Sequence, residues 1–368
     1  MSAAHRSATA PSVLIESVLD PHILRSLDLP AWERLLSCAR RNAVLAYLAY
    51  RAEATGVLDE LPPAPRTALR AARTAAARLA QLAMWEIDRV ARVLLRADIA
   101  SIALKGAAYV LRGMPHAATR LLSDVDVMVP RPRIDDAERE LLAAGWQGTK
   151  LDPYDQQYYR RWSHEIPPLQ YPGRVLGVDV HHTICPPVSR LRPDPAAFWA
   201  AAETTTHRQV RLLSPADSVL HAATHLFFDS DLDGRFRDLI DLHEMLLAFG
   251  SREGFWQRLV ERARQQHLGR PLYYAVVTLE GVLKTPIPKE TRVSVEEFAP
   301  AAPVRAWMRP TLSRLLTPVD PEPWPPRNRA RVWLMFVRSH WLRMPPHLLL
   351  PHLARKSLRR VHGERADA

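Results

Sequence analysis

Residues 103–129, ALKGAAYVLRGMPHAATRLLSDVDVMV, set how the rest of the chain is read. They begin inside a strand-like apolar run, Ile99 to Leu104, which Lys105 and Gly106 break. A short helix-like piece and a polar loop follow. The stretch closes on Asp124-Val125-Asp126-Val127-Met128-Val129, where polar and apolar residues alternate. Alternation with a period of two predicts a strand with Asp124 and Asp126 on one face. Val125, Val127 and Val129 then point into a core. Two carboxylates held side by side repel, and a divalent cation between them relieves that cost. Hard oxygen donors of this kind suit Mg²⁺, or Mn²⁺ in its place.

The next strand signal outward is Val175 to Thr183, VLGVDVHHT. Its alternation puts Asp179, His181 and Thr183 on one face, opposite Val178 and Val180. Asp179 is therefore a candidate third carboxylate. A glycine turn at Gly106 lets backbone N–H groups approach a phosphate without a Cβ in the way. The start of the following helix adds a favourable dipole. Three carboxylates beside a phosphate cradle suit two-metal phosphoryl or nucleotidyl transfer. Lys105 and Arg120 would neutralise charge that develops on the phosphates.

These residues resemble the DNA polymerase β-like nucleotidyltransferase superfamily. Within it they are most similar to a branch of uncharacterised bacterial nucleotidyltransferases, often found in biosynthetic gene clusters. The matching motifs are Leu104 to Ala108, Arg120 to Asp126 in the form R-x-x-x-D-x-D, and Val178 to His182. His164-Glu165-Ile166-Pro167-Pro168-Leu169 resembles the family's glutamate-proline segment. His225 and the helix Arg237 to Leu242 resemble its later helix. The likeness spans residues 30–270, with the motifs in the same order. Where the wider superfamily has Gly-Ser or Gly-Gly, this chain has Gly106-Ala107, and Ala107 offers a phosphate no hydroxyl. The resemblance implies a small mixed sheet, an NTP as substrate and a hydroxyl acceptor. Asp124, Asp126 and Asp179 would bind metal, and Lys105, Gly106, Ala107 and Arg120 would hold the triphosphate. His181, His164, Glu165, Arg237, Asp238 and Asp241 are candidates for lining the substrate cleft. Two other readings stay open: a non-catalytic nucleotide-binding scaffold, and a toxin-like enzyme that modifies RNA ends.

The flanks read differently. Residues 1–98 form a helical region, with helices expected over Pro11–Leu27, Pro30–Thr55 and Pro65–Ala97, punctuated by prolines. Residues 99–213 carry the α/β core, with a further helix over Ile134–Ala144 and a last strand at Val210–Leu213. Residues 214–300 return to helices. Ser214 with Asp217 has the form of a capping box before Ser218–Phe228. Arg237, Asp238 and Asp241 share one helix face by their spacing, which equally fits a buried ion-pair network. His221 and His225 have the spacing of a zinc pair, but no Glu follows His221, so they read as helix histidines facing a core. Residues 301–368 are a Pro-rich connector, expected to wrap the surface, and a basic amphipathic tail. The fold class expected is α/β (α+β), a mixed sheet flanked by two helical regions.

The chain has 368 residues, 47% hydrophobic and 24% charged, an ordinary globular composition with room for a sizeable core. Two cysteines make neither a disulfide framework nor a zinc site and point to a reducing cytoplasm. No signal peptide and no spanning helix is expected. The net charge is +11, yet only five of 50 basic residues are lysine, a bias that speaks of coding composition. Residues 327–368 hold ten Lys or Arg against two acidic residues, so +8 of the +11 sits in the tail. An electrostatic partner would meet that tail. Peripheral contact with the inner membrane face is the reading considered, and nucleic acid is disfavoured.

Overall fold

The computed structural model describes residues 9–149, 151–205, 210–228, 232, 234–319 and 326–361. Four helices precede the first strand: α1 (Ala10–Leu19), α2 (Leu29–Arg41), α3 (Leu45–Ala54) and α4 (Pro63–Arg96). The helix expected over Pro30–Thr55 is two helices, because Asn42 and Ala43 interrupt it, with Ala43 at a φ of 54°. The Asn42 side chain donates to the Cys38 carbonyl at 2.8 Å and accepts from the Val319 amide at 2.9 Å. It thereby ends α2 and anchors a segment almost 280 residues downstream. The helix expected over Pro11–Leu27 stops at Leu19 and continues as a 3-10 turn from Pro21, where proline removes a helix donor.

Seven short strands form one mixed sheet: β1 (Ile102–Ala103), β2 (Asp124–Met128), β3 (Gln147–Gly148), β4 (Leu169–Gln170), β5 (Gly177–His181), β6 (Glu203–Thr204) and β7 (Arg211–Leu212). Their spatial order is β3-β4-β5-β2-β1-β7-β6. The fold class expected from sequence is the one observed. The extra strands β3, β4 and β6 are two residues long, too short to leave a periodic pattern. β2 and β5 lie parallel at the centre, with Asp126 opposite Asp179 and Met128 opposite His181. Helices α5 (Lys105–Leu111), α6 (Ile134–Ala143), α7 (Pro153–Trp162) and α8 (Pro195–Ala201) fall between the strands. Val125, Val127, Val178 and Val180 are buried in one cluster with Ile87, Val90 and Leu94 of α4 and Leu141 of α6. Each such side chain contributes about 1.5–3 kcal/mol on burial. Because strand residues alternate, that burial turns Asp124, Asp126 and Asp179 to the other face.

The remaining helices are α9 (Pro215–Phe228), α10 (Phe236–Gly250), α11 (Phe255–Gln265), α12 (Gly269–Leu283), α13 (Lys289–Val295), α14 (Ala302–Leu315), α15 (Pro326–Arg343) and α16 (Pro346–Val361). Ser214 caps α9 as expected: its hydroxyl accepts from the Asp217 amide at 3.2 Å and donates to the Asp217 carboxylate at 2.8 Å. One apolar cluster joins Leu14, Trp32 and Tyr47 of the N-terminal helices to Leu239, Leu272, Leu279 and Leu312 of the later ones. The two helical regions, remote in sequence, share a core. The connector does more than wrap the surface: it contains α14, which keeps Pro310 inside and buries Met308, Leu312 and Leu315. In the tail, α15 buries Met335 and Ser339 and leaves Trp333, Leu334, Val337 and Trp341 exposed. On α16, His352 stacks on Tyr158 and bonds Tyr154 at 2.9 Å. The last seven residues of the tail, 362–368, lie outside the described residues. Among the described residues, no helix is long and apolar enough to cross a membrane.

Candidate active site

Asp126 stands at the centre of the polar sheet face, 2% exposed. Lys105 Nζ donates to its Oδ1 at 2.5 Å, and His181 Nε2 lies 3.0 Å from the same oxygen. Burial alone would raise this carboxyl. The Lys105 ammonium and the His181 contact outweigh it and hold Asp126 well below the usual carboxylate range. Asp179, its cross-strand neighbour, has only the weaker opposing charge of His181. Burial, then the charges of Asp126 and Glu165, push it up to about 7. Asp124 is raised too, by burial and then by Asp126, although the Ser123 hydroxyl donates to it at 3.2 Å. Four carboxylates, Glu165 included, thus gather around one ammonium. The two raised carboxyls mark uncompensated negative charge, and all donors are hard oxygens. Hard oxygens of this kind suit Mg²⁺ or Mn²⁺, although among the described residues Asp124, Asp126 and Asp179 do not bring their carboxylates within 4.8 Å of one another as a group.

The turn before this face differs from the expected one. The left-handed residue is Lys105, with a φ of 45°, and not the glycine after it. A non-glycine residue in this region carries strain, which the Lys105–Asp126 bond holds in place. Gly106 is buried inside α5, and a Cβ there would collide with the Leu122 side chain and approach Arg120 Nε to 3.4 Å. The glycine is required for close approach of α5 to the lead-in of β2. Ala107 is buried beside it at 1% exposure.

Four candidates come together elsewhere. Arg120 pairs with Asp241 and, at 3.6 Å, with Asp238. Arg237 donates to Thr119 Oγ1 at 2.8 Å, to the His116 carbonyl at 3.0 Å and to Asp241 at 3.0 Å. The spacing fitted both a cleft wall and a buried network, and the second is what forms. None of these four lines the cleft. They clamp the turn at residues 115–119 onto α10, and that turn leads directly into β2. Arg120 meets the α10 carboxylates before it reaches the phosphate side of the sheet.

The cleft itself has a volume of about 300 Å³. Of the sequence candidates, Lys105, His164, Glu165 and Asp179 line it, whereas Asp124, Asp126, His181, Gly106 and Ala107 do not. Tyr158 and Tyr159 of α7, His225 and Phe228 of α9, and Arg343 of α15 were not anticipated. The α7 residues had one usable signal: Asp152 accepts from the Tyr154 amide at 2.8 Å, and Pro153 follows it, the start pattern of a helix. Arg343 had none. A larger cavity of about 430 Å³, lined by Ser214, Phe255 and Arg262 among others, contains none of the sheet-face carboxylates. Chemistry marks the site here, and size does not.

The mixed sheet thus carries carboxylates on paired parallel strands, with a lysine at the strand-to-helix turn and a cleft lined by Lys105 and Asp179. The chain belongs to the family described as uncharacterised nucleotidyltransferase, whose model matches residues 28–283. No curated protein matches the chain. Among solved structures it resembles an antigenic nucleotidyltransferase-like protein from Paracoccidioides brasiliensis, at 16% identity and a TM-score of 0.32, over 56% of this chain and 94% of that one.

Proposed function

We propose that the protein transfers a nucleoside monophosphate from an NTP to a hydroxyl acceptor bound in the cleft. The observation that carries this reading is the cross-strand pair of Asp126 and Asp179 with Lys105 bonded to Asp126. The acceptor oxygen attacks the α-phosphorus, the bond to the bridging oxygen of the β-phosphate breaks, and pyrophosphate leaves. Asp179, which lines the cleft and whose carboxyl is raised by burial and then by the charges of Asp126 and Glu165, is placed to help take the acceptor proton. Mg²⁺ held by Asp124, Asp126 and Asp179 would supply Lewis-acid charge that activates the attacking hydroxyl and stabilises the leaving pyrophosphate. Lys105 neutralises charge on the triphosphate from the cleft wall. Gly106 and Ala107 position Lys105 by letting α5 sit against Leu122. Tyr158, Tyr159 and Phe228 offer aromatic surface for a base or an acceptor ring.

The test is pyrophosphate release from each NTP with Mg²⁺ and a panel of hydroxyl acceptors. The variant D124N, which spares the Lys105–Asp126 pair, is expected to lose turnover while keeping its fold. Unchanged turnover in that variant overturns the proposal.

A further inference from the structure

We propose that His164, Glu165 and His181 form a second cation site, for a borderline divalent ion such as Zn²⁺, beside the aspartate face. Among the described residues, these three have donor atoms all within 4.8 Å of one another. The aspartates do not form such a group. His181 Nε2 lies 3.4 Å from Glu165 Oε2, and His164 Nε2 lies 3.6 Å from the same oxygen. A tetrahedral ion with bonds of about 2.0–2.1 Å separates its ligand atoms by about 3.3 Å. Both imidazoles are already close to that spacing from Glu165, and all three donors lie within 4.8 Å of one another.

The backbone holds them there. Glu165 and His181 face each other in an antiparallel bridge. The Ile166 amide donates to the Val180 carbonyl at 3.0 Å, and the His182 amide donates to the His164 carbonyl at 2.9 Å. Segment 164–166 is therefore registered against β5 and carries no loop freedom at the ligand positions. The Nδ1 atoms of His164 and His181 are both buried without a partner. Every polar contact made by these two imidazoles among the described residues is on the Nε2 side, toward Glu165 and Asp126.

Donor chemistry separates this site from the aspartates. Two imidazole nitrogens and one carboxylate favour Zn²⁺ over Mg²⁺, whereas an all-oxygen set favours Mg²⁺. Three protein ligands also leave a fourth position open, the pattern of a catalytic rather than a structural zinc site. His164 and Glu165 line the cleft, so that position is accessible to a phosphate or hydroxyl oxygen. The opposing charges nearby are Lys105, which is tied to Asp126, and Arg343, which also lines the cleft. The inference does not depend on nucleotidyl transfer.

The experiment titrates Zn²⁺ into the chelator-treated full chain against a chromophoric chelator, with Co²⁺ as a spectroscopic stand-in. One ion per chain is expected, retained against a Mg²⁺ excess of about 1,000-fold. Glu165→Gln and His164→Ala should each weaken Zn²⁺ binding at least about tenfold, the scale on which even an outer-shell contact acts. Asp124→Asn should abolish turnover and leave Zn²⁺ binding unchanged, which separates failure of this site from failure of the transfer reaction. Thermal denaturation in chelator checks each variant's fold, and the near-isosteric Glu165→Gln carries the test if His164→Ala does not fold. Zn²⁺ binding that survives in folded Glu165→Gln, or that equimolar Mg²⁺ displaces, overturns the proposal.

Discussion

Lys105 Nζ lies 2.5 Å from Asp126 Oδ1 and so joins the first residue of α5 to the centre of β2. Lys105 is left-handed and Asp126 is buried, so each is unfavourable without the other. Lys105→Met should leave Asp126 with His181 alone and destabilise the fold by about 3 kcal/mol. Urea denaturation checks this. Adding Asp126→Asn to that variant should cost little more, and a double-mutant cycle reads the coupling. Strictly additive losses would mean that the pair is incidental.

Gly106→Ala forces a methyl into the Leu122 side chain. Overpacking of this kind costs about 1–3 kcal/mol. Adding Leu122→Ala opens the space, so the double variant should lose less than the sum of the single losses. If Gly106→Ala melts like the parent protein, α5 does not need the close approach.

The Arg120–Asp241–Arg237 network should govern stability rather than substrate affinity. Arg237→Met leaves the His116 carbonyl and Thr119 without their buried donor and Asp241 with Arg120 as its remaining arginine, a loss of about 3 kcal/mol. At a temperature where the variant is folded, KM for the NTP should stay within about threefold, under 1 kcal/mol of binding. A tenfold or larger rise in KM would place these side chains against substrate instead.

Acidification should weaken the fold through its buried histidines. His221 is lowered to about 3, and His182 and His243 to about 4, in each case first by burial. In the unfolded chain they regain values near 6.5. Their stability is therefore complete above pH 6.5 and falls as pH drops, by about 1.4 kcal/mol per pH unit for each histidine. Asp179 acts oppositely. Its folded value of about 7 exceeds the ordinary 3.8, so its contribution is present below 3.8 and is lost as pH rises through 7. It offsets one histidine in that window. The melting temperature in metal-free buffer should fall steadily from about pH 6.5 to about pH 4. A flat profile would mean that these imidazoles are hydrated and free to protonate in the folded chain.

What the sequence determined by itself was local. Alternation in Asp124–Val129 and Val178–His181 set which side chains face the core, since a strand residue has only two directions to point. The pair Ser214 and Asp217 announced the start of α9 through a cap that spans three residues. These patterns, with Lys105 and Glu165, made most of the sheet-face constellation legible. Tertiary structure decided the rest. Arg120 could pair with either aspartate of its own motif, and it pairs with Asp241, some 120 residues away, because the turn at residues 115–119 is clamped on α10. Arg343 enters the cleft because α15 docks beside α9, where Arg338 donates to the Phe227 carbonyl at 3.0 Å. The N-terminal helices share a core with α10 and α12 although nothing in either segment names the other. Periodicity records which face of an element is apolar. Which partner covers that face, and which carboxylate an arginine meets, follow only when distant segments are brought within bonding distance.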